Sequence, residues 1–247
     1  MIKQDRIGNE DWRLDLAAFS NKDVELDKNT VEKTIAKISF GEKVLHFSVP
    51  NISAILLDVS CKFWIRSQRE LAASYTFVEW EGLFSFDNTI YPKEESDLFD
   101  LLQERIESII FAYTALEAFA NESLPDNAVF TNERENKRCT ETYNKDQIER
   151  FISLDEKIST IIPQYFGVES PKGKKIWQRY LALKKLRDRL IHLKSNDRKS
   201  ISPSDDTIWK ELLDKDKPNF AIEVKDIIGY LIQNVKEKPR WFTKFPY

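Results

Sequence analysis

Glycine and proline are scarce in this sequence, with only 6 Gly and 9 Pro among its 247 residues. Both residues mark tight turns, so their scarcity disfavours a turn-rich all-β architecture and suits long helices. The apolar share of 41% is large enough for a real core, which excludes an intrinsically disordered chain. Neither sign of charge dominates, because 38 Lys and Arg stand against 41 Asp and Glu. Net charge therefore indicates no class of partner.

Cysteine, histidine and long apolar runs are also lacking. Cys61 and Cys139 stand far apart with no Cys or His at metal-ligand spacing, so we expect no zinc site, no other cofactor, and the reduced thiols of a cytoplasmic protein. The first twenty residues carry too many charges for a signal peptide, and the apolar run near Ile109 is broken by Thr114 and Glu117. We therefore expect a soluble chain that is neither exported nor embedded in a membrane.

Residues 1–95 predict a small N-terminal part that contains β-structure. Apolar residues alternate on both sides of Gly41-Glu42 within residues 34–49, which predicts a β-hairpin. Residues 51–75 favour a helix, although their β-branched and aromatic content leaves a strand open. The aromatic stretch 76–92 indicates either a second hairpin or an ordered loop. The sequence assigns no function to this N-terminal part.

Residues 96–247 predict a bundle of helices. The clearest helix begins at Ser96, a good N-cap, and ends before Pro125. Residues 126–144 are predicted to be a charged linker, since they show no apolar periodicity. Apolar periodicity predicts further helices at about 145–165, 174–195, 206–214 and 219–236, followed by an aromatic tail packed against the body. The expected fold is mainly α, a helical bundle with a small hairpin-containing N-terminal part.

Two charged residues fall on helix faces that are otherwise apolar. Projection at 100° per residue places Arg187 in the apolar stripe of helix 174–195, and Glu117 in the middle of the apolar face of helix 96–124, with Asn121 at its edge. A lone buried charge is costly, so we predict that Glu117 and Arg187 form a hydrogen-bonded pair. The alternative is that one or both side chains reach solvent at a groove.

His192 is predicted to lie on the opposite face of the same helix, outside the core. Asp188 precedes it by four residues, a spacing at which a carboxylate can hydrogen-bond the imidazole and orient it. Trp177, Tyr180 and Ile191 flank this face and are odd residues to leave in water. A second copy of the chain packed there would explain them, so we expect a homodimer through the face of Tyr180, Ile191 and His192.

Residues 171–200 concentrate positive charge, although the net charge of the whole chain is near neutral. Such a stretch is often a solvated helix face. The aromatic residues and the histidine within it favour a phosphate backbone as its ligand. The predicted RNA-binding residues are Lys174, Lys175, Arg179, Lys184, Lys185, Arg189 and Lys194.

The segment Arg187-Asp188-Arg189-Leu190-Ile191-His192 resembles the R-x4-6-H motif of the HEPN superfamily. The upstream run 115–121, which contains Glu117 and Asn121, resembles the second core helix of many HEPN proteins. The resemblance covers about residues 96–236 and leaves the N-terminal part unexplained. It implies an α-helical bundle that commonly dimerises and, in many members, a metal-independent endoribonuclease of toxin, phage-defence or RNA-processing systems.

Under this resemblance, Arg187 and His192 are the catalytic residues, with Asp188, Glu117 and Asn121 in support. His192 would be the general acid or base, and Arg187 would hold the phosphate and stabilise the transition state. The expected partners are RNA, a second copy of the chain and a protein such as an antitoxin or an effector subunit. The alternatives are a catalytically inactive HEPN-like module that binds RNA or protein, and a purely structural helical protein.

Overall fold

The computed structural model describes residues 11–14, 35–72, 77–79, 90–134, 139–199 and 206–247. The fold is mainly helical with a two-stranded antiparallel hairpin near the N-terminus, as the sequence predicts. The chain divides into two compact units. Unit 1 comprises Met1–Ile55, Ala115–Trp177 and Lys225–Tyr247, and unit 2 comprises Leu56–Thr114 and Gln178–Val224. The boundary at residue 95 between an N-terminal part and a helical bundle stays a prediction.

The helices match the predicted ones closely over residues 52–72, 95–122, 175–191, 208–213 and 220–231. Their bounds are α1 Ile52–Ala72, α2 Glu95–Glu122, α3 Lys145–Phe151, α4 Leu154–Glu156, α5 Ile162–Phe166, α6 Lys175–Ile191, α7 Ile208–Leu213, α8 Phe220–Leu231 and α9 Arg240–Thr243. A π-helical turn spans Lys157–Ile161 and a 3₁₀ turn spans Ser195–Arg198. Residues 52–72 of the ambiguous stretch therefore form a helix, not a strand.

The described part of the chain contains three antiparallel strand pairs, one before α1, one between α1 and α2, and one between α2 and α3. They pair β1 Ile35–Phe40 with β2 Lys43–Ser48, β3 Phe77–Glu79 with β4 Ile90–Pro92, and β5 Val129–Arg134 with β6 Cys139–Asn144. The first confirms the predicted hairpin, and Gly41 supplies the positive φ of its turn (61°). The third shows that the predicted linker 126–144 was wrong. Its strands are mostly polar, and Phe130 stacks across the hairpin on Tyr143 with ring centroids 6.5 Å apart.

The predicted helix 145–165 is broken into shorter pieces. Asn144 and Gln147 form a capping box at the start of α3, but Ile152 is extended and ends it. Ser153 then caps a new helix by accepting a hydrogen bond from the backbone N–H of Glu156 at 3.2 Å. A serine that can cap thus outweighs the continuous apolar periodicity. Gly167, with φ 62°, ends α5 as predicted.

Unit 1 has a core that includes the aromatic tail. Trp241 and Phe245 are buried, and the Phe245 ring lies edge-on against Trp12 with centroids 5.6 Å apart. This confirms that the tail packs against the body of the protein. The remaining large core residues of unit 1 are Leu116, Phe119, Leu124, Ile148, Ile158, Ile162, Ile228 and Leu231.

Unit 2 has a core that includes a buried arginine. The Arg105 guanidinium lies 4.0 Å from the centre of the Trp64 ring and donates to the Gln68 side-chain oxygen at 2.9 and 3.2 Å. Burial lowers the pKa of Arg105 to about 10. In the first part of α2, Leu101 and Arg105 are buried whereas Phe99 is exposed.

Candidate functional site

Helix α6 carries the residues of the predicted site, and its inner face anchors it to unit 2. Tyr180 and Leu183 are fully buried and Leu186 is nearly so, at the three-to-four-residue spacing that one face of a helix requires. This confirms the predicted apolar stripe along this part of the helix. The stripe weakens towards the end of the helix, where Leu190 is half-buried and Leu193 is exposed.

Arg187 lies flat on an aromatic side chain at the edge of this core. Its guanidinium carbon is 4.6 Å from the centre of the Tyr113 ring, and Tyr113 stacks on Tyr180 with centroids 6.5 Å apart. Its Nη1 donates to the Asp188 carboxylate at 2.9 Å. About 29% of the side chain stays exposed. Arg187 is therefore an oriented cation with access to solvent, held from two directions.

His192 follows the last residue of α6, where its backbone N–H bonds to the Asp188 carbonyl at 2.9 Å. Its side chain is exposed, and it is flanked by exposed Ile191 and Leu193. The predicted hydrogen bond in which the His192 imidazole donates to the Asp188 carboxylate is not formed in the described part of the chain. That carboxylate binds the neighbouring guanidinium, a stronger charge-assisted contact. Asp188 therefore positions Arg187 and not His192.

The predicted dimer face needs correction. Tyr180 is fully buried within unit 2, stacked on Tyr113, so it cannot share an exposed face with Ile191 and His192. Trp177 is half-buried, with the Lys172 ammonium 6.0 Å from its ring. What stays exposed near the motif is the short apolar pair Ile191 and Leu193 around His192.

Arg189 was predicted to contact RNA, but it is buried in an ionic network. Its two Nη atoms donate to the carboxylates of Asp197 and Asp206, each at 3.1 Å, and to the Asp206 carbonyl at 2.7 Å. Asp197 is buried too and accepts from the backbone N–H of Ile208 at 2.8 Å. This bond and those from Arg189 and Lys194 hold the pKa of Asp197 below its ordinary value. Arg189 therefore anchors the chain beyond α6 and is withdrawn from the surface.

The other predicted RNA-binding cations divide between paired and solvent-facing side chains. Lys174 donates to Glu169 at 2.5 Å and to the Tyr230 hydroxyl at 2.8 Å, and Arg179 forms an ion pair with Glu223 at 3.2 Å. Lys184 is half-buried. The exposed members of the predicted set are Lys175, Lys185 and Lys194.

Four solvent-accessible basic side chains of unit 2, on and just beyond α6, make up what we call the α6 cationic surface: Lys185, Arg187, His192 and Lys194. The hydrogen bond from Arg189 lowers the pKa of the Asp206 carboxyl group, and the positive charges of Lys185 and Lys194 lower it further. These two lysines are therefore within electrostatic range of one carboxylate. Burial of Arg189 and the ion pairs of Lys174 and Arg179 engage part of the positive charge that the sequence spreads over residues 171–200.

Glu117 and Asn121 belong to unit 1, where they lie near a lysine that sequence reasoning missed. Lys157 is 5% exposed and donates to the Asn121 side-chain oxygen at 2.8 Å and the Glu149 carbonyl at 2.9 Å. Burial lowers its pKa, and the charges of Glu149 and Glu117 oppose that shift. The signal was present, since Lys157 falls at the helical spacing of the buried Leu154 and Ile161. The pairing of Glu117 with Arg187 stays a prediction, since these residues belong to different units.

A second cluster of charge in unit 2 is acidic and lies between α1 and α2. Burial raises the pKa of Glu104 to about 7, and the neighbouring charge of Glu70 adds to the effect while Arg66 opposes it. The pKa of Glu70 is raised in turn by burial and by Asp100. Glu70 and Glu104 are hydrogen-bonded to each other, so this region favours a protonated carboxyl group.

The described part of the chain offers few features of other kinds of site. Its residues include no group of three His, Cys, Asp or Glu side chains placed to hold a metal ion. A groove of about 570 Å³ is lined mainly by charged residues of both signs, among them Asp206, Lys210, Glu211 and Lys217. Over the same residues, no helix is long and apolar enough to span a bilayer.

Comparison with known proteins adds no relative to this picture. The chain matches no model of a protein family, no curated protein and no solved structure. The geometry of the α6 cationic surface is therefore the basis for a functional proposal.

Proposed function

We propose that the chain is a metal-independent endoribonuclease of the HEPN type, in which Arg187 and His192 are the catalytic residues. The observation that carries the proposal is the state of Arg187: its part-exposed guanidinium lies on Tyr113 and is held by Asp188, on a helix that an exposed histidine directly follows. An arginine that is oriented but not buried suits a phosphate oxyanion, which needs a fixed bidentate donor.

The reaction that fits these groups is attack of the RNA 2′-hydroxyl on the adjacent phosphorus. A bond forms between the 2′-oxygen and phosphorus, and the bond from phosphorus to the 5′-oxygen of the next nucleotide breaks. One histidine accepts the 2′-proton and another protonates the leaving 5′-oxygen, because an imidazole can do either near neutral pH. The guanidinium of Arg187 stabilises the charge that develops on the non-bridging phosphate oxygens. The products are a 2′,3′-cyclic phosphate and a 5′-hydroxyl.

The placement of the two catalytic residues sets a requirement on this reaction. Five residues of α-helix separate Arg187 from His192 by about 7.5 Å along the axis and about 140° around it. A phosphate bound by the long arginine side chain is therefore reached more easily by a histidine from elsewhere than by the one on the same helix. Each chain has only two histidines, and His46 lies in β2. We accordingly propose a homodimer in which two His192 side chains serve one site.

The second candidate is a catalytically inactive module of the same type that binds RNA or a protein. The exposed apolar residues Ile191 and Leu193 on both sides of His192 favour it, since they offer a contact that needs no chemistry. In this case the α6 cationic surface would supply affinity without turnover.

The deciding experiment is an RNA cleavage assay with the full chain in EDTA, using a fluorescent single-stranded RNA of mixed sequence. We expect products that end in a 2′,3′-cyclic phosphate. His192→Ala should lower the rate at least about 100-fold while RNA affinity changes little. His46→Ala is the matched control and should leave the rate unchanged.

Two results would overturn the proposal of a metal-independent ribonuclease. One is cleavage of a substrate with a 2′-deoxy sugar at the scissile position, because the proposed nucleophile is then missing. The other is activity that is lost on chelation and restored by magnesium. RNA binding without cleavage at any concentration would support the inactive module instead.

A further inference from the structure

The β1–β2 hairpin of unit 1 carries an apolar face that stays in water. Its antiparallel register pairs Ile38 with Leu45 and Ala36 with Phe47. Because cross-strand partners point to the same side, one face collects Ile38, Phe40, Leu45 and Phe47. Their exposed fractions are 46%, 71%, 45% and 37%. The opposite face carries Lys37, Ser39, Val44 and His46. We call the first of these the hairpin apolar face.

The size of this face is large for an uncovered surface. With about 200 Å² for each fully exposed large apolar side chain, the four residues leave roughly 400 Å² in water. Patches of this size on a monomer are often functional. An isolated two-stranded hairpin is also marginally stable, and packing against a helix or a further strand is what usually stabilises one. A third strand would extend the sheet but leave the apolar side chains exposed, whereas a helix would cover them.

Two other occupants fit the hairpin apolar face poorly. A second copy of the chain would need about 800 Å² per partner for a stable interface, roughly twice what this face offers. A lipid surface would have to accommodate Glu42, the exposed carboxylate in the turn beside Phe40. A single helix matches the dimensions better, because its width of about 10 Å covers two strands about 4.8 Å apart.

We propose that the hairpin apolar face of Ile38, Phe40, Leu45 and Phe47 is a docking surface for one amphipathic helix of a partner protein. A strand of six residues is about 20 Å long, so the bound helix would contribute about 13 residues. Lys43 is the charged residue on this face, and it lies at the turn end of β2. The partner helix accordingly carries an acidic side chain where its apolar stripe meets Lys43.

The test is a titration of the full chain into a fluorescently labelled synthetic helical peptide, in which fluorescence anisotropy measures binding. The 14-residue peptide has Leu at positions spaced by three and four residues and Glu on its remaining positions. A matched peptide of the same composition alternates Leu and Glu, which suits a strand. We expect the helical peptide to bind and to gain helical circular dichroism, and the alternating peptide to bind at least about tenfold more weakly.

Two pairs of variants locate the contact. Phe40→Ser should weaken binding at least about tenfold, whereas Val44→Ser on the opposite face should change it less than about twofold. Lys43→Glu should weaken binding of the Glu peptide and strengthen binding of a peptide with Lys in place of Glu. Lys37→Glu, on the other face, is the control for that exchange. This charge exchange does not depend on how well Phe40→Ser folds.

Several outcomes would overturn the docking proposal while leaving the ribonuclease proposal untouched. Equal or tighter binding of the alternating peptide would indicate strand addition at a hairpin edge. Equal losses for Phe40→Ser and Val44→Ser would show that the apolar face is not the contact. A dimer that Phe40→Ser dissociates, measured by light scattering, would assign the face to a second copy. Binding to anionic phospholipid vesicles that is lost in Phe40→Ser would assign it to a membrane surface.

Discussion

Two charged regions of unit 2 compensate the cost of burial in opposite ways. At the end of α6, Arg189 and Asp197 are both buried and both charged, because the aspartate also accepts backbone hydrogen bonds. Between α1 and α2, burial and the like charge of Glu70 raise the pKa of Glu104 to about 7, although the charge of Arg66 opposes the shift. The partners of a carboxyl group, and not its burial alone, therefore decide whether it stays ionised.

Breaking the ionised region should have the largest effect on stability. Asp197→Ala removes the acceptor for Arg189 and for the backbone N–H of Ile208. We expect a loss of about 3–5 kcal/mol in the free energy of unfolding, typical of a buried charge left without its partner. The control is Asp188→Ala, a partly exposed aspartate on α6, which should cost less than about 1 kcal/mol. Urea denaturation measures both, and equal losses would refute the contrast.

Acid should weaken the same region. The pKa of Asp197 is lowered on folding from an ordinary value of 3.8, so its contribution is present above that pH and lost as the pH falls through the folded pKa. The stability difference between the wild type and Asp197→Asn should therefore be large at pH 6 and narrow towards zero in strong acid. Thermal unfolding from pH 2.5 to 6 tests this. A constant difference would mean that Asp197 is not held as a carboxylate.

The protonated region should respond in the opposite direction. The pKa of Glu104 is raised on folding from 4.5 to about 7, so its contribution is present below about pH 4.5 and lost as the pH rises through 7. Glu104→Gln, which is always neutral, should therefore be more stable than the wild type at pH 8, by about 1 kcal/mol after allowance for solvent screening. At pH 4.5 the two proteins should be nearly equal. A difference that does not change between these pH values contradicts the comparison.

The smallest expected effect on stability comes from changing lysines that are exposed to solvent. The double variant Lys185→Gln/Lys194→Gln should leave stability within about 0.5 kcal/mol. It should lower RNA affinity and reduce the slope of log affinity against log salt by about 1.4, or about 0.7 for each lost phosphate contact. Lys174→Gln/Arg179→Gln serves as the matched double variant, because both of its cations are already bound to protein carboxylates. Equal slopes for the two double variants would remove the α6 cationic surface from the proposal.

Much of the helical framework could be predicted from the sequence. Apolar spacing located α2 and α6, and the alternation around Gly41 located the first hairpin, but α2 begins at Glu95, one residue before the predicted N-cap Ser96. The β5–β6 hairpin was missed because Thr, Asn and Glu dominate its strands, so no alternation of apolar and polar residues marks them. The break before Ser153 was missed because the apolar residues continue through it.

The candidate site was only partly predictable for a different physical reason. Helical projection placed Arg187 in the apolar stripe of α6, and the structure puts it at the edge of the core, whereas Tyr180, predicted to lie at the dimer face, is buried. The projection could not separate Arg189 from the solvent-facing cations, because Arg189 is buried by Asp197 and Asp206, which follow the end of the helix. The position of such irregular segments depends on long-range contacts that no local periodicity records.

The contact between Trp12 and Phe245 has a consequence for how the protein is made. A ribosome releases the chain from its N-terminus, so Trp12 emerges long before its aromatic neighbour has been added. At about 5–20 residues per second, the intervening 233 positions take roughly 10–50 seconds to translate. Unit 1 thus completes this part of its core only after Phe245 has been added, and truncation before Phe245 should harm folding more than the small number of removed residues suggests.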